Sequence, residues 1–111
     1  MEKILKYQHI ITQLLEEYAK DWSNGSQLEF ETVFDTVRHH YQLVCVGWIN
    51  DEYIHHTPIH IDIKNGKVWL QKNLTEEYVA EALVERGIPK LDIVLGLQPP
   101  DYRKYTEYAA A

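Results

Sequence analysis

One dipeptide constrains this chain more than any other feature. Asn65-Gly66 stands between two runs that alternate apolar and polar residues. Both central positions of a tight type I′ turn need positive φ, which asparagine and glycine tolerate. A two-residue loop also sets the pairing register. Ile63 must then oppose Val68, Ile61 oppose Leu70, Asp62 oppose Trp69, and His60 oppose Gln71. One face of the hairpin becomes apolar, with Ile59, Ile61, Ile63, Val68 and Leu70; the other carries His60, Asp62, Trp69 and Gln71. A slip of one residue would exchange the two faces, so the turn fixes which side is core.

The flanking sequence extends this sheet. Residues Leu28 to Val37 alternate as a half-buried strand, with Leu28, Phe30, Thr32, Phe34 and Thr36 on one face. Tyr41 to Ile49 is apolar on both faces, which predicts a central strand covered on both sides. Asp92 to Leu95 is a short fifth strand or extended segment. Ahead of the strands, Ile4, Tyr7, Ile11, Leu14, Tyr18 and Trp22 recur at helical spacing, widened by Ile10 and Leu15, and Ser23-Asn24-Gly25-Ser26 closes that helix. A second helix is expected over about 75–86, with Thr75 as N-cap, Gly87 at the left-handed C′ position and Pro89 as the stop. Past Pro99-Pro100 the tail allows a helical turn with Tyr102, Tyr105 and Tyr108 three apart. At 111 residues this is a single domain over 1–111. Its fold class is α+β: a mostly antiparallel sheet of four to five strands with an N-terminal helix and a second, later helix.

Composition narrows the function classes. Seventeen acids against eleven bases give a net charge of −6, which argues against an obvious nucleic-acid binder. Residues 10–37 hold six acids against Lys20 alone, while Lys64, Lys67 and Lys72, with Arg103 and Lys104, are the candidate phosphate contacts. A single cysteine, Cys45, excludes an internal disulfide and a cysteine zinc site. The charged start, Met1-Glu2-Lys3, and the lack of a long apolar run predict a cytoplasmic protein.

No catalytic set emerges. The serines, Ser23 and Ser26, lie in a turn without a nucleophile elbow, and Cys45 sits in an apolar strand where a thiol is packing. Three arginines are few for phosphodiester chemistry by a tyrosine. His56, His60 and Asp62 share one strand face by period 2, but His56 and His60 would lie about 13 Å apart along an extended strand, too far for one ion without a neighbour's help. No metal, cofactor or catalytic residue is therefore expected. The aromatics say more. Three tryptophans and eight tyrosines exceed what a small core uses. Trp69 falls on the polar face of its hairpin, to be covered by the N-terminal helix or by a protein partner. With His60, Tyr102 and Tyr105 it forms the candidate partner interface.

The string His60-Ile61-Asp62-Ile63-Lys64-Asn65-Gly66-Lys67-Val68-Trp69-Leu70-Gln71 resembles the XisI family. So do Thr75-Glu76, Gly87-Ile88-Pro89-Lys90, Asp92-Ile93-Val94-Leu95-Gly96 and Arg103-Lys104-Tyr105-Thr106, together with Phe34-Asp35-Thr36 and Gly47-Trp48. The resemblance spans nearly the whole chain. It implies a cyanobacterial accessory protein, controlling excision of the fdxN element, a programmed DNA rearrangement in differentiating nitrogen-fixing cells. It also implies work beside a XisH-like, nuclease-fold protein and a separate site-specific recombinase, with no catalytic residue to carry over. The expected function is a non-catalytic, protein-contacting subunit. The alternatives are a small DNA-binding directionality factor or an antitoxin-like inhibitor of a nuclease partner. A homodimer is expected in each case.

Overall fold

The computed structural model describes residues 2–111. Helix α1 (Glu2–Ser23) is followed by strands β1 (Leu28–Asp35), β2 (His40–Ile49), β3 (Glu52–Lys64) and β4 (Lys67–Asn73). Helix α2 (Val79–Glu85), a single 3-10 turn at Lys90–Asp92, strand β5 (Ile93–Leu95) and the short helix α3 (Pro100–Arg103) complete the chain. The sheet runs β1-β2-β3-β4-β5, antiparallel until the last pair, where β5 lies parallel to β4. A parallel neighbour needs a crossover, and residues 74–92 with α2 supply it.

The Asn65-Gly66 turn forms as its chemistry requires, with φ of 55° and 77°. Ile63 pairs with Val68, Asp62 with Trp69 and Ile61 with Leu70. One expected pairing fails. His60 faces Lys72, because an irregularity between His60 and Ile61 leaves Gln71 without an opposite number. Such a bulge inserts one residue in one strand and re-aims the side chains around it.

Both helices lie on one side of the sheet. Tyr7, Ile10, Ile11, Leu14, Leu15 and Ala19 of α1 and Val79, Ala80 and Leu83 of α2 join Tyr41, Leu43, Ile59, Ile61, Ile63, Val68, Leu70 and Ile93 in one core. Each fully buried large side chain contributes about 1.5–3 kcal/mol. The expectation that β2 is covered on both faces is corrected: Tyr41, Leu43 and Cys45 are buried, but Val44 and Val46 are half-buried and Trp48 is 60% exposed. Neither α1 nor α2 packs over that second face. Its apolar residues reflect the β-propensity of valine and tryptophan, not a second core layer.

Two boundaries also differ from expectation. β1 stops at Asp35, whose carboxylate accepts from the amides of Val37 and Arg38 and so closes the turn to β2. Helix α2 starts at Val79, not Thr75. Asn73 takes both the Thr75 amide (2.9 Å) and hydroxyl (2.6 Å) on its Oδ1, and donates Nδ2 to the Glu77 carbonyl (2.9 Å). That carbonyl is thus drawn into a local loop instead of the helix. The far end behaves as expected. Gly87 has φ of 117°, its amide donates to Val84 and the Ile88 amide to Leu83, a Schellman closure.

The entry to β5 is tied to α1 by charge. Asp92 accepts a hydrogen bond from the Tyr7 hydroxyl and pairs with Lys3 at 3.1 Å. The Tyr7 hydrogen bond and the Lys3 ammonium hold the Asp92 carboxyl below its ordinary value despite partial burial. Burial first, then Asp92, pushes the Tyr7 phenol up to about 12. For Asp92 the stabilisation is complete above its ordinary pKa of 3.8 and fades as pH falls through the lower folded value. For Tyr7 it is complete below 10.0 and fades as pH rises towards about 12. Denaturant midpoints measured across pH should therefore fall at both ends, and Tyr7→Phe should flatten the alkaline fall.

The one-sided core makes a second prediction. Leu43→Ala, on the covered face, should cost about 2–5 kcal/mol in urea unfolding. Val33→Ala, 49% exposed on the other face, should stay within about 0.5 kcal/mol. Equal costs would show that the second face is buried in solution.

Candidate functional site on the uncovered sheet face

The face that the helices leave open is built by strand parity. Val33 from β1, His40, Gln42, Val44, Val46 and Trp48 from β2, Tyr53, His55, His60 and Asp62 from β3, and Trp69 from β4 all alternate away from the core. It has two ends of different chemistry. At the β2–β3 turn, Trp48 and Tyr53 oppose one another with ring centroids 5.1 Å apart, and Tyr53 stacks on His55 at 6.3 Å. These rings are open to solvent, Trp48 at 60% and Tyr53 at 54%.

The other end is polar. His40 opposes Asp62 across the β2–β3 ladder and Gln42 opposes His60, which puts both imidazoles beside one carboxylate. His40 Nδ1 and His60 Nε2 each lie 2.8 Å from Asp62 Oδ1, and Gln71 Nε2 donates to Oδ2 at 3.2 Å. Burial alone would raise the Asp62 carboxyl. The hydrogen bonds from His40 and His60, the His60 imidazole and Gln71 outweigh it and hold the group below its ordinary value. Gln71 reaches Asp62 from its bulge, packed against Gly96, where a Cβ would meet Gln71 Cδ at 3.1 Å and the Trp69 ring at 3.2 Å.

His56 is not part of this group. The ladder slips between Leu43 and Cys45, so His56 pairs with Cys45 and faces the helix side. There it lines a hollow with Trp22, Phe30, Cys45 and Pro58. The expected face shared by His56, His60 and Asp62 is thereby corrected. The irregularity at Thr57-Pro58, where proline lacks a ladder donor, breaks the period of two. Cys45 stays inert packing, its thiol pushed up by burial.

The N-terminal helix does not cover Trp69; it lies on the opposite face. Instead Lys64 Nζ sits 4.0 Å from the ring centroid and the Arg103 guanidinium 5.2 Å, a cation on aromatic arrangement. Arg103 also donates Nε to the carbonyls of Leu95 (3.2 Å) and Gln98 (3.1 Å) and Nη2 to Gly96 (3.2 Å). It clamps the tail over the β4–β5 end, where Val94, level with Trp69, is fully buried.

Of the candidate phosphate contacts, Lys64 pairs with Lys67 across the hairpin and shares the Trp69 ring with Arg103. Lys67 Nζ reaches the Ala111 carbonyl at 2.5 Å, Lys104 lies 5.3 Å from the Tyr105 ring, and Lys72 is half-buried on β4. Of the candidate interface residues, His60 and Trp69 share the open face, whereas Tyr102 and Tyr105 pair with each other on the tail, centroids 6.2 Å apart. The residues missed by sequence reading are His40, Trp48 and Tyr53. Only the β2–β3 register unites His40 with Asp62. Asn50-Asp51, a two-residue link between Ile49 and Glu52, was the signal that could have placed Trp48 opposite Tyr53.

A five-stranded sheet with α1 and α2 on one side and a polar-aromatic second face defines an α+β two-layer domain. The family model for XisI protein matches residues 1–110, and the chain belongs to the XisI family. Among solved structures it is similar to a XisI-like protein from Anabaena variabilis, with a TM-score of 0.91 and 47% identity over 97% of this chain and 99% of that one. It is also similar to the fdxN element excision controlling factor XisI from Anabaena variabilis, with a TM-score of 0.83 and 31% identity over 98% and 99% of the two chains. No curated protein matches. No helix among the described residues is long and apolar enough to cross a membrane.

Arg103 generates a prediction. Arg103→Ala should destabilise the fold by about 1–3 kcal/mol, because it removes charge-assisted hydrogen bonds to three partly buried carbonyls. It should also shift the Trp69 fluorescence, isolated by subtraction of a Trp69→Phe variant. Arg103→Lys should not restore either property, since one ammonium cannot reproduce the planar fork. Wild-type unfolding and emission in Arg103→Ala would show that the clamp is idle.

Proposed function

We propose that this chain is a non-catalytic controlling factor of DNA element excision, acting by protein contact through its uncovered sheet face. Its partner is a XisH-like, nuclease-fold protein or the recombinase that cuts the element. The observation that carries the reading is the solvent-open Trp48–Tyr53 pair at one end of that face. Large aromatics centred on a surface are the residues that most often anchor protein interfaces. The name of the Anabaena relative as an excision controlling factor supports the biological setting. The net charge of −6 favours a protein over a duplex as the direct contact.

Co-purification with the nuclease-fold companion tests this. Wild-type protein should form a stable complex by light scattering, and Trp48→Ala with Tyr53→Ala should weaken it at least about tenfold, as removal of an aromatic anchor does. Both side chains are exposed, so the variants should remain folded. Absence of a complex with either partner would overturn the reading. Retardation of element-end DNA that falls steeply with salt would favour the directionality-factor alternative. Loss of partner nuclease activity on complex formation would specify antitoxin-like inhibition. A species of twice 13.1 kDa, lost with the same two substitutions, would assign the face to a second copy of the chain.

A further inference from the structure

We infer that His40, His60 and Asp62 form a binding site for one divalent first-row transition ion, with Zn²⁺ the ion its donors fit best. Their three ligand atoms, His40 Nδ1, His60 Nε2 and an Asp62 carboxylate oxygen, lie within 4.8 Å of one another. They come from two paired strands, which hold their backbones more rigidly than loops would.

The donor set selects the ion. Two imidazole nitrogens and one carboxylate oxygen suit zinc and its neighbours, whereas calcium and magnesium prefer oxygen alone. Three protein ligands leave a fourth position for water or another group. The dimensions are close. Zinc bonds of about 2.0–2.2 Å put tetrahedral donors roughly 3.3 Å apart. Here each imidazole nitrogen is 2.8 Å from Asp62 Oδ1. Small side-chain rotations, opening these distances by about half an ångström, would admit an ion in place of the bridging protons.

The surroundings fit the same purpose. Gln71 holds Asp62 Oδ2 at 3.2 Å, which orients the carboxylate and leaves Oδ1 between the imidazoles. A hollow lined by Val33, Phe34, Asp35, Gln42 and both histidines opens beside the group and gives an ion a path in. Simple hydrogen bonding of two imidazoles to one carboxylate would use the same atoms, and metal titration separates the two readings.

The chain, freed of metal by dialysis against chelator, is titrated with Co²⁺ by visible absorption and with Zn²⁺ by calorimetry. The expected result is one ion per chain, with a tetrahedral cobalt spectrum that zinc abolishes. His40→Gln and His60→Gln should each weaken binding by about tenfold or more, while His56→Gln, on the other face, should leave it unchanged. His40 is half exposed, so its variant keeps the fold intact, as circular dichroism will verify. No saturable binding by folded wild-type protein would overturn the site. So would wild-type affinity in the His40→Gln, His60→Gln double variant, or an equal loss in His56→Gln.

Discussion

The structure depends on the buried strand positions all facing the same side. Helix α1 is the one long amphipathic element, and its buried stripe, from Tyr7 to Ala19, can cover a single face of the sheet. Helix α2 is too short to cover another and packs on the same side. A sheet with one cover is stable only if its registers agree, since a slip of one residue in β3 would send isoleucines to water and histidines to the core. The Asn65-Gly66 turn enforces that agreement for β3 and β4, and the core residues Ile59, Ile61, Ile63, Val68 and Leu70 all emerge on the helix side as a result.

Where that parity breaks, the polar site appears. The slip near Thr57-Pro58 turns His56 towards the helices and leaves His60 facing out. The bulge at Gln71 lets its amide reach Asp62 from the neighbouring strand. Neither event disturbs the core, because Pro58 and Ile59 are buried through the irregularity. Bulges are a common means of aiming a side chain that strict alternation would place elsewhere. Gly96 completes the arrangement by leaving the space that the Gln71 side chain occupies.

Much of this was legible from the chain. Helical spacing locates α1, alternation locates strands, and the turn chemistry of Asn65-Gly66 and Gly87 places both turns, with the register correct from Lys64 back to Ile61. Most of the errors share one physical origin, a partner distant in sequence; the start of α2 is instead a local effect. Val44, Val46 and Trp48 look like core because apolar side chains on a strand carry no label for which face meets a helix. Thr75 looks like an N-cap because the competing Asn73 side chain acts through geometry, not composition. His40 was invisible as a site residue. Twenty-two positions from Asp62 along the chain, it becomes a neighbour only when β2 and β3 pair.

Trp69 shows how such long-range pairing changes the meaning of charge. In sequence, Lys64 and Arg103 look like free cations, and an aromatic on a polar face looks like an exposed anchor. In the folded chain the three neutralise each other's apparent availability. The cations lie on the ring, and the guanidinium spends its donors on three backbone carbonyls of the tail. A guanidinium so engaged would have to abandon those carbonyls to grip phosphate, at the cost of unpaired acceptors in a partly buried loop. The open face therefore keeps its exposed aromatic surface at the Trp48–Tyr53 end and its polar group at the His40–Asp62 end, with the Trp69 corner sealed by the tail. A partner reading this surface meets aromatic area and imidazole, not a cationic groove.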